Sequence, residues 1–577
     1  MANWWRWLAC EGPSSADNRM SEPGGLSSEI GASIPGTRGE PAVQRLVTLF
    51  IWLGIFARAI RYYLCFPLWD DESFLCVNFI SRTYAELLQP LDYHQVAPIL
   101  FLWTERALVQ ALGFSEYVLR LLPFVCSIAS LFVFRRVAER LLSGRALLFA
   151  VTIFAISYPG IRYAAEAKPY GTDMFIALVM LWAVVEWKDC RNERLLGLLQ
   201  AMVPVALGFS YPAVFAAGGL SLVVAAILFW QRGTVREWAI WTVFNLTLVA
   251  SFVILFRIVA QVQGGAEGEF MGEYWKQSFP PVSQPWLLPY WMLKTHASDF
   301  LAYPLGGPKW ASTGTLLLCL VGLWQLVRTR QTFVLGLLLA PASLHLLAAA
   351  LQKYPYGGHV KFSQYLAPMI CCLIGVGIAP LVRWRPLTMH QVDYRLAWAC
   401  VICLAIGGGS MTRDLASPYK TRSDFRARAF AQSFWLGAHS AEEVTCLETD
   451  VGHDFVPDQH RELSWSAHYL CNHAIEVSRC KLRPANLTQV TAKRPLRCVM
   501  YHDDRYPLDN ERLNRWLDEM QQKYELLSHE SVPFPRLAKN DRTLVTMEYI
   551  DSYKFIPRDA LANGLPPLAE VHQAQSR

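Results

Sequence analysis

Long apolar blocks constrain this chain more than any other feature of its sequence. Leu46–Tyr63 and Trp238–Ile258 are two of them, and Leu147–Ile161 and Thr315–Val327 are shorter members of the series. A helix needs roughly 17 to 25 such residues to cross about 30 Å of hydrocarbon. Of the residues, 53% are hydrophobic and 17% charged, against about 25% charge in an ordinary soluble protein. Trp182, Trp187, Trp230, Trp238 and Trp384 flank the blocks, as interfacial anchors do. The expected fold is mainly α, a polytopic transmembrane helical bundle, with the lipid bilayer as a partner. Nothing in the sequence asks for nucleic acid.

The loops set the topology. Residues 1–42 are polar and rich in Ser, Gly and Pro, with no apolar region before Leu46, and read as a disordered cytoplasmic tail. Arg and Lys gather in Arg135–Arg145, Lys188–Arg194, Arg232–Arg236, Arg328–Arg330 and Arg383–Arg395. Such loops belong on the cytoplasmic side. The stretches between them, 145–187, 195–230, 238–329 and 333–383, then each hold a pair of spans. Pro98–Leu112 breaks the parity if it crosses, and it carries Glu105 and Arg106, which are costly in mid-membrane. It is expected to lie on the outer surface as an amphipathic helix. The expectation is about eleven spans, with the N-terminus inside and the C-terminus outside the plasma (inner) membrane. Residues 43–412 form the transmembrane domain and 413–577 an extracytoplasmic domain. The loops 67–116, 162–170, 260–311 and 353–362 then share the outer face.

The tail returns to soluble composition. Glu443–Thr449, Leu496–Tyr501 and Leu544–Tyr549 read as strands and Asn510–Tyr524 as an amphipathic helix, which predicts a small α/β domain. Cys446, Cys471, Cys480 and Cys498 permit disulfides, Cys471–Cys480 being the simplest pairing, or reduced core positions.

The residues suited to chemistry fall in the outer loops. Asp70, Asp71 and Glu72 follow the first span. Such a cluster serves as a general base, holds a divalent cation, or is simply a solvated run at the membrane edge. His94 opens the stretch that leads to Pro98 and adds a titratable imidazole. Arg120 stands at the outer turn of a span, where it pairs with a carboxylate or an anion, or snorkels. Lys168 and Tyr170 lie in AAEAKPYGTD, with Glu166 and Asp173 placed to orient them. His359 and Lys361 follow a Gly-Gly turn in KYPYGGHVK. Together they set carboxylates and cations on one face, as an anionic lipid-phosphate donor facing a base requires.

This order of motifs resembles the GT-C superfamily of membrane glycosyltransferases, in the branch of the protein O-mannosyltransferases and lipid A aminoarabinose transferases. The residues that carry the resemblance are Asp71-Glu72, His94 to Pro98, Arg120-Leu121, Ala167-Lys168-Pro169-Tyr170 and the late GGHVKFSQYLAP. They run over most of residues 45–412. Lys168 stands where the family has Arg, and the double proline common after the His is missing. The resemblance implies transfer of a hexosyl or pentosyl group from a polyprenyl-phosphate sugar, with inversion, to a glycolipid, glycan or protein acceptor. Asp71 is then the first choice as base, with Asp70, Glu72 or His94 in support. Lys168, Tyr170, Arg120, His359 and Lys361 are the candidates for the donor phosphate. A divalent cation, Mg or Mn, on Asp70 and Asp71 is compatible but not required. A transporter would show an internal repeat and mid-span charges, and neither is seen. A non-catalytic scaffold accounts for the tail but leaves the outer charges without a role.

Overall fold

The structure is a computed structural model. It describes residues 41–260, 262, 275–382, 394–416, 425, 428–429, 432, 444–446, 467–479, 496–504, 510–537 and 544–559. The expected tail 1–42 falls outside these residues but for its last two, Pro41 and Ala42.

The apolar blocks are helices. In chain order they are α1 (Pro41–Tyr63), α2 (Asp70–Cys76), α3 (Ile99–Leu112), α4 (Leu121–Leu141), α5 (Gly144–Ile156), α6 (Tyr158–Arg162), α7 (Tyr170–Cys190), α8 (Glu193–Phe209), α9 (Ala213–Trp230) and α10 (Val235–Leu255). After them come α11 (Thr313–Arg328), α12 (Thr332–Ala350), α13 (Ala367–Val382) and α14 (Tyr394–Ala416). Among the described residues, seven helices are long and apolar enough to cross a membrane, and an eighth forms if the pair broken after Ile156, bent by 46°, is one span. The other three expected spans are helical too, in α8, α11 and α14. The expected eleven thus exceeds the seven or eight that length and composition support.

Ion pairs gather the basic loops at one end of the bundle. Arg136 and Arg140 bind Glu186 at 2.6 and 2.8 Å. Arg191 reaches Glu237 at 3.3 Å and Arg236 reaches Glu193 at 3.0 Å. Arg145 donates to the Val382 carbonyl at 3.1 Å, and Lys188 sits 4.6 Å over the Phe333 ring. At the other end the chain leaving α1 meets the chain about to enter α4. The Tyr62 hydroxyl donates to the Tyr117 carbonyl at 2.6 Å, and the Tyr117 hydroxyl to the Tyr63 carbonyl at 3.0 Å. The chain therefore leaves α1 and enters α4 at the same end, and α3 between them does not carry it across. With 14 residues, α3 rises about 21 Å, too little to span.

Close helix crossings rest on glycine. A Cβ on Gly322 of α11 would collide with the Leu373 carbonyl, and one on Gly377 of α13 with the Leu318 carbonyl. The two helices approach at backbone distance, as small residues allow in membrane bundles.

In the tail, α15 (Ala467–Arg479), α16 (Asn510–Lys523) and four strands are described: β1 (Val444–Cys446), β2 (Leu496–Asp503), β3 (Tyr524–Leu537) and β4 (Leu544–Pro557). The sheet order is β1-β2-β4-β3, with β1 and β2 parallel and the other pairs antiparallel. Trp516 of α16 packs edge-on against Tyr553 and Phe555. The 14-residue β3 was not expected. Helix α15 docks on the segment between α1 and α4. Ala467, Cys471, Ala474 and Ile475 share one core with Leu75, Cys76, Phe114 and Val118. Their spacing is one helical face. Cys471 is a reduced, buried thiol that lies 3.6 Å from the Ser73 carbonyl. The suggested Cys471–Cys480 disulfide is therefore not formed, because packing on α2 takes up the thiol; Cys480 lies outside the described residues.

Candidate functional site

The site is assembled by a buried ion pair. Residues 70–76 turn into helix α2 directly after the first span, and the Glu72 carboxylate accepts from the Trp69 amide at 3.4 Å. Its main partner is Arg120, at 2.7 and 2.8 Å, with side-chain exposures of 0% for Glu72 and 3% for Arg120. Arg120 also donates to the Phe66 and Pro67 carbonyls, at 2.5 and 3.3 Å. Glu72 Oε1 accepts from the Ala167 amide at 2.8 Å. Three distant segments are thus tied at one point. Burial alone would lower the Arg120 pKa, but the Glu72 carboxylate outweighs it and holds the guanidinium above its ordinary value. The sequence reading put Glu72 beside the base and Arg120 at the donor phosphate. The structure pairs them with each other, out of reach of solvent, which is the carboxylate alternative for Arg120 and removes Glu72 from the solvent-facing cluster.

On this frame Asp71 and the lysines converge. Lys361 Nζ lies 3.4 Å from Asp71 Oδ2. The Asp71 side chain keeps 34% of its surface exposed and Lys361 13%, so the carboxylate stays open to a reactant. Aromatic rings surround the ammonium: Trp275 at 4.6 Å, Phe362 at 5.5 Å and Tyr170 at 5.9 Å. Such rings stabilise a cation through their quadrupoles. Lys168 is buried, and its Nζ donates to Gln95 Oε1 at 2.6 Å. Desolvation pulls its pKa below the ordinary lysine value; Asp71 pushes it back up and Lys361 pushes it down. Those couplings also show that Lys168, Lys361 and Asp71 lie within electrostatic reach of one another.

His359 stands one contact away. Its Nδ1 meets the Tyr163 hydroxyl at 3.3 Å and the Lys361 amide at 3.3 Å. Glu166 binds Arg162 at 2.6 Å, and Arg162 lies 5.8 Å over the Trp69 ring. The structure therefore brings Asp71, Lys168, Tyr170 and Lys361 together and sets His359 beside them. The side chains of Asp70 and His94 lie outside those described. Among the described residues no group of three His, Cys, Asp or Glu side chains could hold a metal ion.

Sequence reasoning missed Gln95, Tyr163 and Trp275. Gln95 follows His94 and bears no charge to flag it. Trp275 comes from the loop 260–311, which is rich in other aromatic residues, among them Trp286, Tyr290, Trp291 and Trp310. Of these, Trp286, Tyr290 and Trp310 are exposed, and Tyr290 packs with Trp310 at 6.2 Å.

No protein-family profile matches the chain, and no curated protein matches it. Among solved structures it is similar to ArnT from Cupriavidus metallidurans bound to undecaprenyl phosphate, at 11% identity and a TM-score of 0.47, over 88% of this chain and 97% of that one. It is also similar to the Archaeoglobus fulgidus oligosaccharyltransferase in the apo form, at 11% identity and a TM-score of 0.43, over 78% of this chain and 65% of that one.

Proposed function

We propose that the chain is a membrane glycosyltransferase that moves a hexosyl or pentosyl group from a polyprenyl-phosphate carrier to a glycolipid, glycan or protein acceptor. The observation that carries the reading is the approach of Lys361 to Asp71, with the buried Lys168 beside them. Group transfer from a phosphate needs a base for the acceptor hydroxyl and positive charge for the leaving phosphate. Asp71 is the base and removes the hydroxyl proton. The hydroxyl oxygen attacks the anomeric carbon as the bond to the phosphate oxygen breaks. Attack opposite the leaving group inverts that carbon. Lys168 and Lys361 take the negative charge that develops on the phosphate, and Tyr170 lines the approach. Gln95 orients the Lys168 ammonium, and His359 holds the Lys361 loop through its amide. Glu72 and Arg120 act as positioning residues that fix α2 against the 162–169 loop.

Two ammonium groups beside Asp71 are poor company for a divalent cation, so charge neutralisation falls to the lysines. The basic loops, gathered at the end of the bundle away from the site, fit the cytoplasmic side. The site and the tail then face outward, with the chain in the plasma membrane. Mass spectrometry of the cell envelope from a deletion strain tests this reading. Loss of one glycan, with accumulation of its polyprenyl-phosphate sugar, is expected. An unchanged envelope with no accumulated carrier contradicts it.

A further inference from the structure

Residues 275–312 lie between α10 and α11 at the end of the bundle that carries the site. The opposite, basic end holds the start of α10, where Arg236 meets Glu193, and the turn from α11 to α12, where Lys188 sits over Phe333.

This segment has two unlike sides. One is pinned to the loop that carries Lys361. The Ser278 carbonyl accepts from the Tyr356 and Gly357 amides, both at 3.1 Å. A Cβ on Gly358 would strike the Ser278 hydroxyl, and one on Gly357 the Thr295 side chain. Tyr356 stacks on Phe300 at 4.4 Å, and its hydroxyl meets His296 Nε2 at 3.2 Å. Trp275, at the head of the segment, covers Lys361 Nζ at 4.6 Å.

The other side is open and apolar. Pro285–Leu287 turns into the short helix Leu288–Thr295. Trp286 is 72% exposed and Tyr290 58%, and Val282, Leu287, Leu288 and Leu293 are exposed with them. Lys294 and Lys309 are exposed on the same segment. Its one carboxylate in 275–312, Asp299, is half-buried.

A concentrated apolar patch marks contact with another surface. Composition and continuity identify that surface as lipid. Trp and Tyr beside lysines are the residues of the membrane–water interface, and the excess of lysine suits anionic headgroups. The patch also runs on into the outer wall of the spans. Tyr290 lies 6.2 Å from Trp310, just before α11, and α11 exposes Leu317, Leu320 and Trp324 along its length. On the other flank α10 exposes Leu246, Val249 and Val253.

We propose that residues 282–293 lie in the headgroup region of the leaflet on the site's side, and that this seating holds Trp275 and the 354–361 loop around Lys361. The bilayer is then a partner that sets part of the site's geometry, because one face of the segment grips lipid while the other grips the loop. The importance of Lys361 rests on the glycosyltransferase reading; the seating itself does not.

The test uses the full-length protein in nanodiscs of phosphatidylethanolamine and phosphatidylglycerol. A nitroxide is placed on Trp286→Cys or Tyr290→Cys. The described free cysteines are buried or half-buried, and labelled wild type gives the background. Collision with oxygen and with a water-soluble nickel chelate measures depth. Both labels are expected about 5–10 Å below the phosphates, whereas a label on Ser528→Cys, in the exposed part of β3, stays in water. Nickel access at 286 and 290 equal to that at 528 overturns the proposal. So does protection from both reagents, which marks a protein partner or a second copy of the chain. The link to the site is read on the double variant Trp286→Asp, Tyr290→Asp. Acylation of Lys361 by a water-soluble amine reagent, followed by peptide mass spectrometry with exposed Lys523 as reference, is expected to speed several-fold as Trp275 loses its hold. An unchanged rate overturns that link. Neither readout involves sugar transfer, so failure here leaves the glycosyltransferase reading standing.

Discussion

Arg120 and Glu72 meet at 2.7 Å in a buried ion pair that joins α2 to the start of α4. Glu72 also accepts from the Ala167 amide, so one carboxylate fixes the loop that carries Lys168. Removing one partner leaves the other charge buried and unpaired, which costs about 3–5 kcal/mol. Arg120→Ala is therefore expected to lower the unfolding temperature of the purified protein sharply and to lower its yield in membranes. A variant with unchanged thermal stability contradicts the structural role of this pair.

Lys168 gives a pH signature. Its role needs the protonated ammonium, and burial places its pKa below the ordinary lysine value of about 10.4. Donor binding is expected to fall on the alkaline side, at a lower pH than an unperturbed lysine would give. Lys168→Arg keeps the charge at all accessible pH and should move that limb upward. An alkaline limb at the same pH in both proteins rules Lys168 out as its source.

Glu105 of α3 is 1% exposed, and neither carboxyl oxygen has a hydrogen-bond partner among the described residues. Desolvation raises its pKa well above the ordinary carboxylate value. The folded state thus holds a proton that the unfolded chain releases near pH 4.3, by about its reference value. Stability from this group is full below that pH and is lost as pH rises through the folded pKa. Glu105→Gln is expected to flatten the fall in stability toward alkaline pH. Thermal melts across pH check this, and parallel curves for the two proteins contradict it.

The crossing of α11 and α13 has no room for a side chain at Gly377. Gly377→Ala must push the Leu318 backbone away, at a cost of about 1–3 kcal/mol. The measurement is the melting temperature of the detergent-solubilised protein. Gly197 of α8, which has open space around its Cβ position, serves as the control for a glycine-to-alanine change in a helix without a clash.

The sequence made the bundle legible because hydrocarbon thickness sets helix length and charge sets loop side. The surface assignment of Pro98–Leu112 came from charge parity and agrees with the return of the chain at Tyr62 and Tyr117. Strand β3 was missed because its charged residues and its prolines, Pro533 and Pro535, hide the alternation. Pairings escaped for a different reason. Glu72 and Arg120 stand 48 positions apart, and Lys168 and Gln95 stand 73 apart. No local pattern announces such partners. Both members of the Glu72–Arg120 pair were legible as functional candidates by type, but only packing reveals that they neutralise each other. The docking of α15 on α2 escaped in the same way, since an amphipathic face does not name what it covers.

The most direct measurement is complementation of a deletion strain with Asp71→Asn, read by mass spectrometry of envelope glycans at matched protein abundance. The amide keeps the size of the side chain but cannot take the acceptor proton. The account predicts a folded, membrane-inserted protein that restores none of the missing glycan, while wild type restores all of it. Full restoration by Asp71→Asn contradicts the account.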